Sequence, residues 1–579
     1  MSEINSSAPD AASSPQAAPQ ERERWGSRIG VILAVMGSAV GLGNFLRFPG
    51  QAAQYEGGMF MIPYFIGLLV LGIPLAWAEW SMGRFGGGRG FNSSPGIYRT
   101  IWRNPAAPYG GIVSMTVPVI IYMYYVFLEA WCLAYAWFMI TGDLSLGTEQ
   151  GAYVDFFTTF TGAGQDGFLM GGGVSPAVIA LAICFLLNFF LIYRGLQRGI
   201  ERFCLYAMPL LIVCALLVLA RVLTLGTPNP DTPELNVVNG LGYMWNPQTQ
   251  DGSIFSSLFN GQMWLQATGQ IFFSLSVGFG IIITYASYLR RDDDIALSSL
   301  SSNAGNEFCE VALGGMIVIP AAFVFLGSAG VDGQGTFGLG FMVLPQVFTM
   351  MPAGQIIGTL FFFLLFLAAV ASSLSMLQPA ISFMEEGLQI GRRVSVSILG
   401  LITLIGSFFV VYFSQNLMAL DTMDFWVGTF GIYILATFQV ILFGWVLGIN
   451  RGMGELQRGA SIRVPAFVGV MLKYVCPTYL IIIFMIWIYQ QTTAETGNYF
   501  RTLAENNVAQ MTVGFIIVIA IFFTLLIRQS VINWQRRERG EGSSCASCQL
   551  DVSGTLSYEC PQCGEPLPAL ASHSTGGSA

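Results

Sequence analysis

The chain has 579 residues, 54% hydrophobic and only 10% charged, with a mean hydropathy of +0.62 and a formal net charge of −8. This composition excludes an ordinary soluble globular protein and fits a polytopic membrane protein. No basic patch argues for nucleic acid, and net charge says little about partners when two membrane faces differ in charge.

The first 21 residues are rich in Ser, Ala, Pro and Gln and read as a disordered tail without a signal-peptide pattern. Apolar runs of about 20 residues, the length that crosses a bilayer, then recur along the chain. They predict twelve spans, near 28–50, 58–83, 108–140, 174–193, 203–223, 257–288, 305–329, 355–386, 395–413, 418–447, 464–489 and 508–533. The Gly-rich segment from Phe337 to Pro352 reads as a structured outer loop. Basic residues stay cytoplasmic. Arg22, Arg24, Arg28, Arg84, Arg89, Arg99, Arg103, Arg194, Arg198 and Arg202 mark one face, as do Arg290, Arg291, Arg392, Arg393, Arg451, Arg458, Arg463 and the carboxyl-terminal arginines. The opposite loops carry acids and Arg501. Both termini are therefore expected inside, in a multi-pass protein of the inner (plasma) membrane. Six cysteines scattered within spans imply no disulfide framework.

Two spans are costly as plain membrane helices. The first contains "SAVGLGNFLRFPG", with Gly41 and Gly43 followed by Asn44 and Arg47. The sixth reads "GQIFFSLSVGFGIIITYASY", with Ser274, Ser276, Gly278 and Gly280 at its middle. If spans 1–5 and 6–10 are repeats, these are matching first members, and an odd number of spans inverts the second repeat. Gly-interrupted spans at matching places point to a transporter's midplane site, where unwound carbonyls bind a cation and half-helix N-termini attract an anion. Glycine that only permits close packing is the plainer reading for one such span. For two matching spans with embedded polar residues, the site is the better reading.

These stretches, with "GGMFMIPYFIGLLVLGIPLAWAEWSMGR", "YYVFLEAW", "RGIERFCLYAMP", "FLAAVASSLSMLQP" and "MDFW", resemble the neurotransmitter:sodium symporter family, nearest its bacterial leucine-transporter branch, over about residues 22–535. The resemblance implies an all-α membrane protein of twelve transmembrane helices, the LeuT fold, with a 5+5 inverted repeat and broken helices 1 and 6. It implies a first sodium on the carbonyl of Ala39, the side chains of Asn44 and Asn306, and Ser274, which stands where the leucine transporter has threonine. The substrate carboxylate completes that shell. A second sodium would use carbonyls of Gly37, Val40 and Ala368 and the hydroxyl of Ser372, but the further side-chain oxygen expected at position 371 is absent, because that residue is Ala371. The implied substrate pocket is Ser38, Ala39, Leu42, Gly43, Ile121, Tyr125, Phe273, Ser274, Ser276, Phe279, Ser372 and Met376. Backbone amides of Leu42 and Gly43 and the Tyr125 hydroxyl would hold a carboxylate, and carbonyls near Ala39 and Phe273, with Ser276, an ammonium. Gly41 replaces the aspartate of monoamine transporters, so the substrate is expected to bring its own carboxylate. The aliphatic and aromatic wall favours an apolar side chain.

Resemblance also pairs Arg47 with Asp424 as an outer gate, and groups Arg22, Tyr288 and Glu386 as an inner one. Glu310 stands where chloride-dependent relatives have a hydroxyl residue, and a fixed carboxylate there would substitute for chloride. Glu79 and Glu129 are intramembrane acids, read either as functional groups or as structural pairs.

Beyond the family core, "CASCQLDVSGTLSYECPQCGEPLP" supplies Cys545, Cys548, Cys560 and Cys563 as two CxxC pairs eleven residues apart. That spacing suits a tetrahedral thiolate cage for zinc; a rubredoxin-like iron site or a redox pair are the alternatives. The expected organisation is a tail (1–21), a symporter domain (22–535) and a cytoplasmic tail (536–579) with the ribbon at 545–563, which would dock a cytoplasmic protein partner. The expected function is chloride-independent import of a neutral apolar L-amino acid with sodium. No catalytic motif is present, so no enzyme is expected. The rival readings are an amino-acid sensor signalling through the ribbon, and a proton-coupled exchanger using Glu310.

Overall fold

The computed structural model describes residues 25–539, apart from 56, 172, 174, 248–253, 259 and 494–497, together with Cys548 and Gln562. The described residues are helical throughout, with a lone β-bridge between Gly57 and Pro247. The helices that matter here are α1 (Arg28–Ala39), α2 (Gly43–Gln54), α3 (Gly58–Gly87), α4 (Ser94–Ile101), α5 (Ala107–Thr141), α6 (Pro176–Tyr193) and α7 (Leu196–Leu223). They continue as α8 (Gly261–Leu275), α9 (Ile281–Ser287), α10 (Ile295–Val331), α11 (Gly335–Met350), α12 (Gly354–Gly387), α13 (Arg392–Tyr412), α14 (Gln415–Gln457), α15 (Phe467–Thr493) and α16 (Asn507–Arg539).

Ten helices among the described residues are long and apolar enough to cross a membrane, and α1 with α2 makes eleven if that bent pair is one span. The run over 257–288 is not among them, because it is divided into α8, of 15 residues, and α9, of 7. The stretch expected to be an outer loop is instead largely helical, as α11. Its glycines lower helix propensity, but burial of Leu339, Phe341 and Val343 against the bundle outweighs that.

Both interruptions have local causes. After α1 the chain turns extended at Val40 (ψ 102°), and α2 leaves at 48° to α1. After α8, Ser276, Gly278 and Gly280 all take positive φ (54°, 76° and 79°), a conformation that releases the helical ladder. The freed Gly278 N–H donates to Glu79 Oε1 of α3 at 2.7 Å. That bond joins Glu79 to the interruption. Glu129 is likewise bonded, accepting from Ser373 Oγ (2.6 Å) and Asn188 Nδ2 (3.0 Å).

The α1/α2 and α8/α9 segments lie inside the bundle. α5 and α12 pack along one another and are largely buried, whereas α6, α7, α13, α15 and α16 expose apolar faces, including Leu186, Leu217, Leu401, Ile482 and Leu525. An exposed apolar face around a polar-centred interior is what a lipid solvent requires.

Candidate substrate and cation sites

The break in α1/α2 faces α8 and α10 through a closed polar cluster. Asn44 lies in a wide π-helical turn at Gly43–Arg47, and Glu310 in another at Phe308–Gly315. Such turns in longer helices often mark functional positions. With Gln270, Ser274 and Asn306 they make five side chains, all fully buried. Asn44 Nδ2 donates to Asn306 Oδ1 at 2.9 Å and to Glu310 Oε2 at 3.1 Å. Asn306 Nδ2 donates to Ser274 Oγ at 2.7 Å, and the Ser274 hydroxyl donates to Glu310. Gln270 Nε2 donates to Glu310 Oε1 at 2.8 Å. Asn44, Ser274 and Asn306, expected together as a first sodium site, are thus brought together with Glu310. Ala39 closes α1 beside them. Amide, hydroxyl and carboxylate oxygens in a buried cluster form a donor set suited to a hard cation.

Sequence reasoning missed Gln270 and Glu307. Gln270 joins Glu310 to Arg47, whose Nη1 donates to Gln270 Oε1 at 3.2 Å. Glu307 accepts the Tyr64 hydroxyl at 2.7 Å. A glutamine beside Gly269 in an apolar run was the available signal for the first. Nothing local marked the second.

The other side of the same break meets α12. Ser372 Oγ lies 3.3 Å from both Gly37 O and Val40 O, so one hydroxyl proton is shared over two long contacts. The carbonyls and the hydroxyl thus converge, with Ala368 one turn earlier on α12. A Cβ at Gly37 would sit 3.4 Å from Ala371 Cβ, which places position 371 directly against this group.

Between the two groups lie the expected substrate residues. Leu42 N donates to the Tyr125 hydroxyl at 3.0 Å, and Ser276 Oγ donates to Ser38 O at 3.0 Å. A Cβ at Gly41 would stand 2.6 Å from Tyr125 Oη and 2.7 Å from Ser372 Oγ, so the glycine is required by space. Leu42, Gly43, Tyr125 and Phe273 line a cavity of about 380 Å³, together with Arg47, Tyr124 and Asp424. Ile121, Phe279 and Met376 are buried but do not line that cavity, although Phe279 packs edge-on to Phe273 at 5.7 Å between ring centroids.

Arg47 and Asp424 face the same cavity without pairing. Arg47 sits over the Phe273 ring at 5.2 Å, and Asp424 accepts the Tyr124 hydroxyl at 2.7 Å. The opposite, arginine-rich face is tightly joined. Trp25 Nε1 donates to Tyr285 O at 3.0 Å, and Glu201 accepts from the backbone of Gly26 (2.9 Å) and Ser27 (3.2 Å). Arg28 pairs with Asp294 at 3.1 Å. Of the expected inner trio, Tyr288 hydrogen-bonds Ser382 (2.8 Å), while Glu386 accepts from the backbone of Asn92 and Ser93 (2.5 and 2.9 Å), just before α4. Arg22 lies outside the described residues, as do Cys545, Cys560 and Cys563. Among the described residues no group of His, Cys, Asp and Glu could hold a metal ion.

The model of the sodium:neurotransmitter symporter family matches residues 22–155 and 149–530. An uncharacterised sodium-dependent transporter of Methanocaldococcus jannaschii is 28% identical over 466 residues, 78% of this chain and 87% of the relative. The sodium-dependent serotonin transporter of Drosophila melanogaster is 26% identical, covering 80% of this chain and 76% of its own. Among solved structures, that of MhsT in complex with L-phenylalanine superposes with a TM-score of 0.67 at 26% identity, over 80% of this chain and 99% of MhsT. The chain belongs to the sodium:neurotransmitter symporter family.

Proposed function

We propose that the protein imports a neutral apolar L-amino acid together with sodium, without chloride, by alternating access in a twelve-helix bundle. In this reading α1/α2 and α8/α9 are the broken first members of two inverted five-helix repeats. The observation that carries it is the convergence at the first break: Leu42 N and Tyr125 Oη on one side, Gly37 O, Val40 O and Ser372 Oγ on the other, and the Asn44–Ser274–Asn306 group beneath. An amino-acid carboxylate would replace the Leu42–Tyr125 contact, accepting from both groups. Its ammonium would meet carbonyls near Ala39 and Phe273, with Ser276. Because the carboxylate also reaches the Asn44 group, substrate and the first sodium would stabilise one another, which is the coupling a symporter needs.

Chloride independence would rest on the Glu310 carboxyl, which accepts from Ser274 and Asn44 where chloride-dependent relatives have a hydroxyl residue. Preference for an apolar side chain rests on Phe273, Phe279, Ile121 and Met376 around the site, and on MhsT, whose structure holds L-phenylalanine. One methylene is discriminated by only about 1–3 kcal/mol, so a group of similar apolar amino acids is expected as substrates. Orientation with both termini cytoplasmic rests on the arginine-rich loops. Reconstituted protein should accumulate labelled apolar amino acid only under an inward sodium gradient, and equally in chloride and gluconate. Uptake driven by a proton gradient without sodium would favour exchange through Glu310, and tight binding without uptake would favour a sensor. The carboxyl-terminal cysteines should hold about one zinc per chain, lost in Cys560→Ser while amino-acid binding persists. Elemental analysis finding no zinc, or iron in its place, would remove that module.

A further inference from the structure

On the arginine-rich face some basic side chains are matched: Arg84 is buried against Glu455 (2.8 Å), Arg458 pairs with Asp292 (3.0 Å) and Arg28 with Asp294 (3.1 Å). Among those with no carboxylate within ion-pair distance among the described residues, Arg89, Arg103 and Arg451 come together. All three line one cleft of about 560 Å³, with Phe85, Trp102 and Val446. Arg89 spends a single N–H on Phe85 O (2.8 Å) and lies over the Phe85 ring. Its pKa is lowered, first by burial; the charge of Glu455 opposes this, and those of Arg291 and Arg451 add to it. Glu455, the acid closest in effect, is held by Arg84, so none of the three guanidinium groups has a carboxylate at ion-pair distance among the described residues.

Convergent guanidinium groups with spare N–H donors match a phosphate, which takes parallel N–H···O bonds from each. The surroundings of the cleft decide where that phosphate comes from. Val446, which lines the cleft, is 39% exposed and its chain neighbour Trp445 is 60% exposed, and Trp445 Nε1 donates to Lys473 O (2.7 Å). A tryptophan with its polar edge bonded and its ring exposed marks the headgroup level of a bilayer. Gly448 (φ 86°) turns the 449–457 segment of α14 at this level, carrying Arg451 to the cleft.

We propose that this cleft binds the phosphate headgroup of an anionic phospholipid, held by Arg89, Arg103 and Arg451, with its acyl chains along the exposed Trp445–Val446 edge. Scattered basic residues attract anionic lipid without a built site, so the test must separate three convergent arginines from three dispersed ones. Native mass spectrometry of the purified full chain, titrated with phosphatidylglycerol or phosphatidylcholine, reads the affinity. The variant carrying Arg89→Gln, Arg103→Gln and Arg451→Gln should lose phosphatidylglycerol affinity by about tenfold or more, with phosphatidylcholine unchanged. A control carrying Arg194→Gln, Arg198→Gln and Arg393→Gln, all exposed on the same face, should change by less than about twofold. Equal losses in both variants, or none in the first, would overturn the proposal. Glycerol phosphate binding as tightly as phosphatidylglycerol would overturn it in favour of a soluble anion. If the triple variant does not yield folded protein, Arg103→Gln with Arg451→Gln carries the same comparison.

Discussion

The two ends of the broken helices are built differently. At the end away from the arginine-rich loops Arg47 and Asp424 line one cavity, each bonded to a neutral neighbour, Gln270 and Tyr124. At the arginine-rich end residues 25–28 are fastened by backbone bonds to Glu201, by Trp25 to Tyr285 and by Arg28 to Asp294. The outer pair can therefore close without breaking an ion pair, whereas the inner end must release several charge-assisted bonds. Under the proposed alternating-access reading, with the arginine-rich face inside, this arrangement would be an outward-facing state, and the fastenings would set how much the amino acid and sodium must contribute to leave it.

Releasing the inner end should have the largest effect. Hydrogen bonds to a charged group contribute about 1.5–3 kcal/mol each, and Glu201 accepts two from backbone N–H groups and one from Ser27 Oγ. Glu201→Ala should therefore shift the population inward by about tenfold or more. Cysteine labelling from the cytoplasmic side should rise and apparent sodium affinity fall; unchanged labelling would show the fastening to be immaterial. At the outer end Asp424→Ala leaves Arg47 nothing to close upon. Uptake should drop several-fold, on the order of the coupling of a partly exposed ion pair, while equilibrium binding persists. Full uptake in that variant would remove the gate. The smallest effect is expected at Ala371. A hard cation held by few oxygens depends on each, and Ala371 faces Gly37 where a hydroxyl could reach the Gly37–Val40–Ser372 group. Ala371→Thr should lower the sodium concentration for half-maximal binding by a few-fold, since one added ligand is worth about 1 kcal/mol. No improvement would mean that the missing oxygen is not limiting.

Much of this was legible in the chain itself. Asn44, Arg47 and Ser274 stand out because polar groups in apolar runs are costly, and the helices break where glycines cluster beside them. The ends of most expected spans agree with the helices to within a few residues. What was not legible depends on distance in the fold. Glu201 lies 174–175 positions from the residues it fastens, and no local pattern announces that bond. Glu307 is one acid beside a more conspicuous one. Glu386, expected in an inner gate, also accepts from two backbone N–H groups just before α4, a contact across 293–294 positions that no local pattern announces. The helix at Gly335–Met350 was hidden by its glycines, since propensity is local and burial is not.

The central claim is that one break binds an amino acid and sodium interdependently. It is tested most directly by equilibrium binding of a labelled apolar L-amino acid to purified protein, with sodium exchanged for potassium at constant ionic strength. The account predicts no measurable binding in potassium, a steep rise with sodium, and loss of that rise in Asn306→Leu. Equal binding in potassium and in sodium would contradict it.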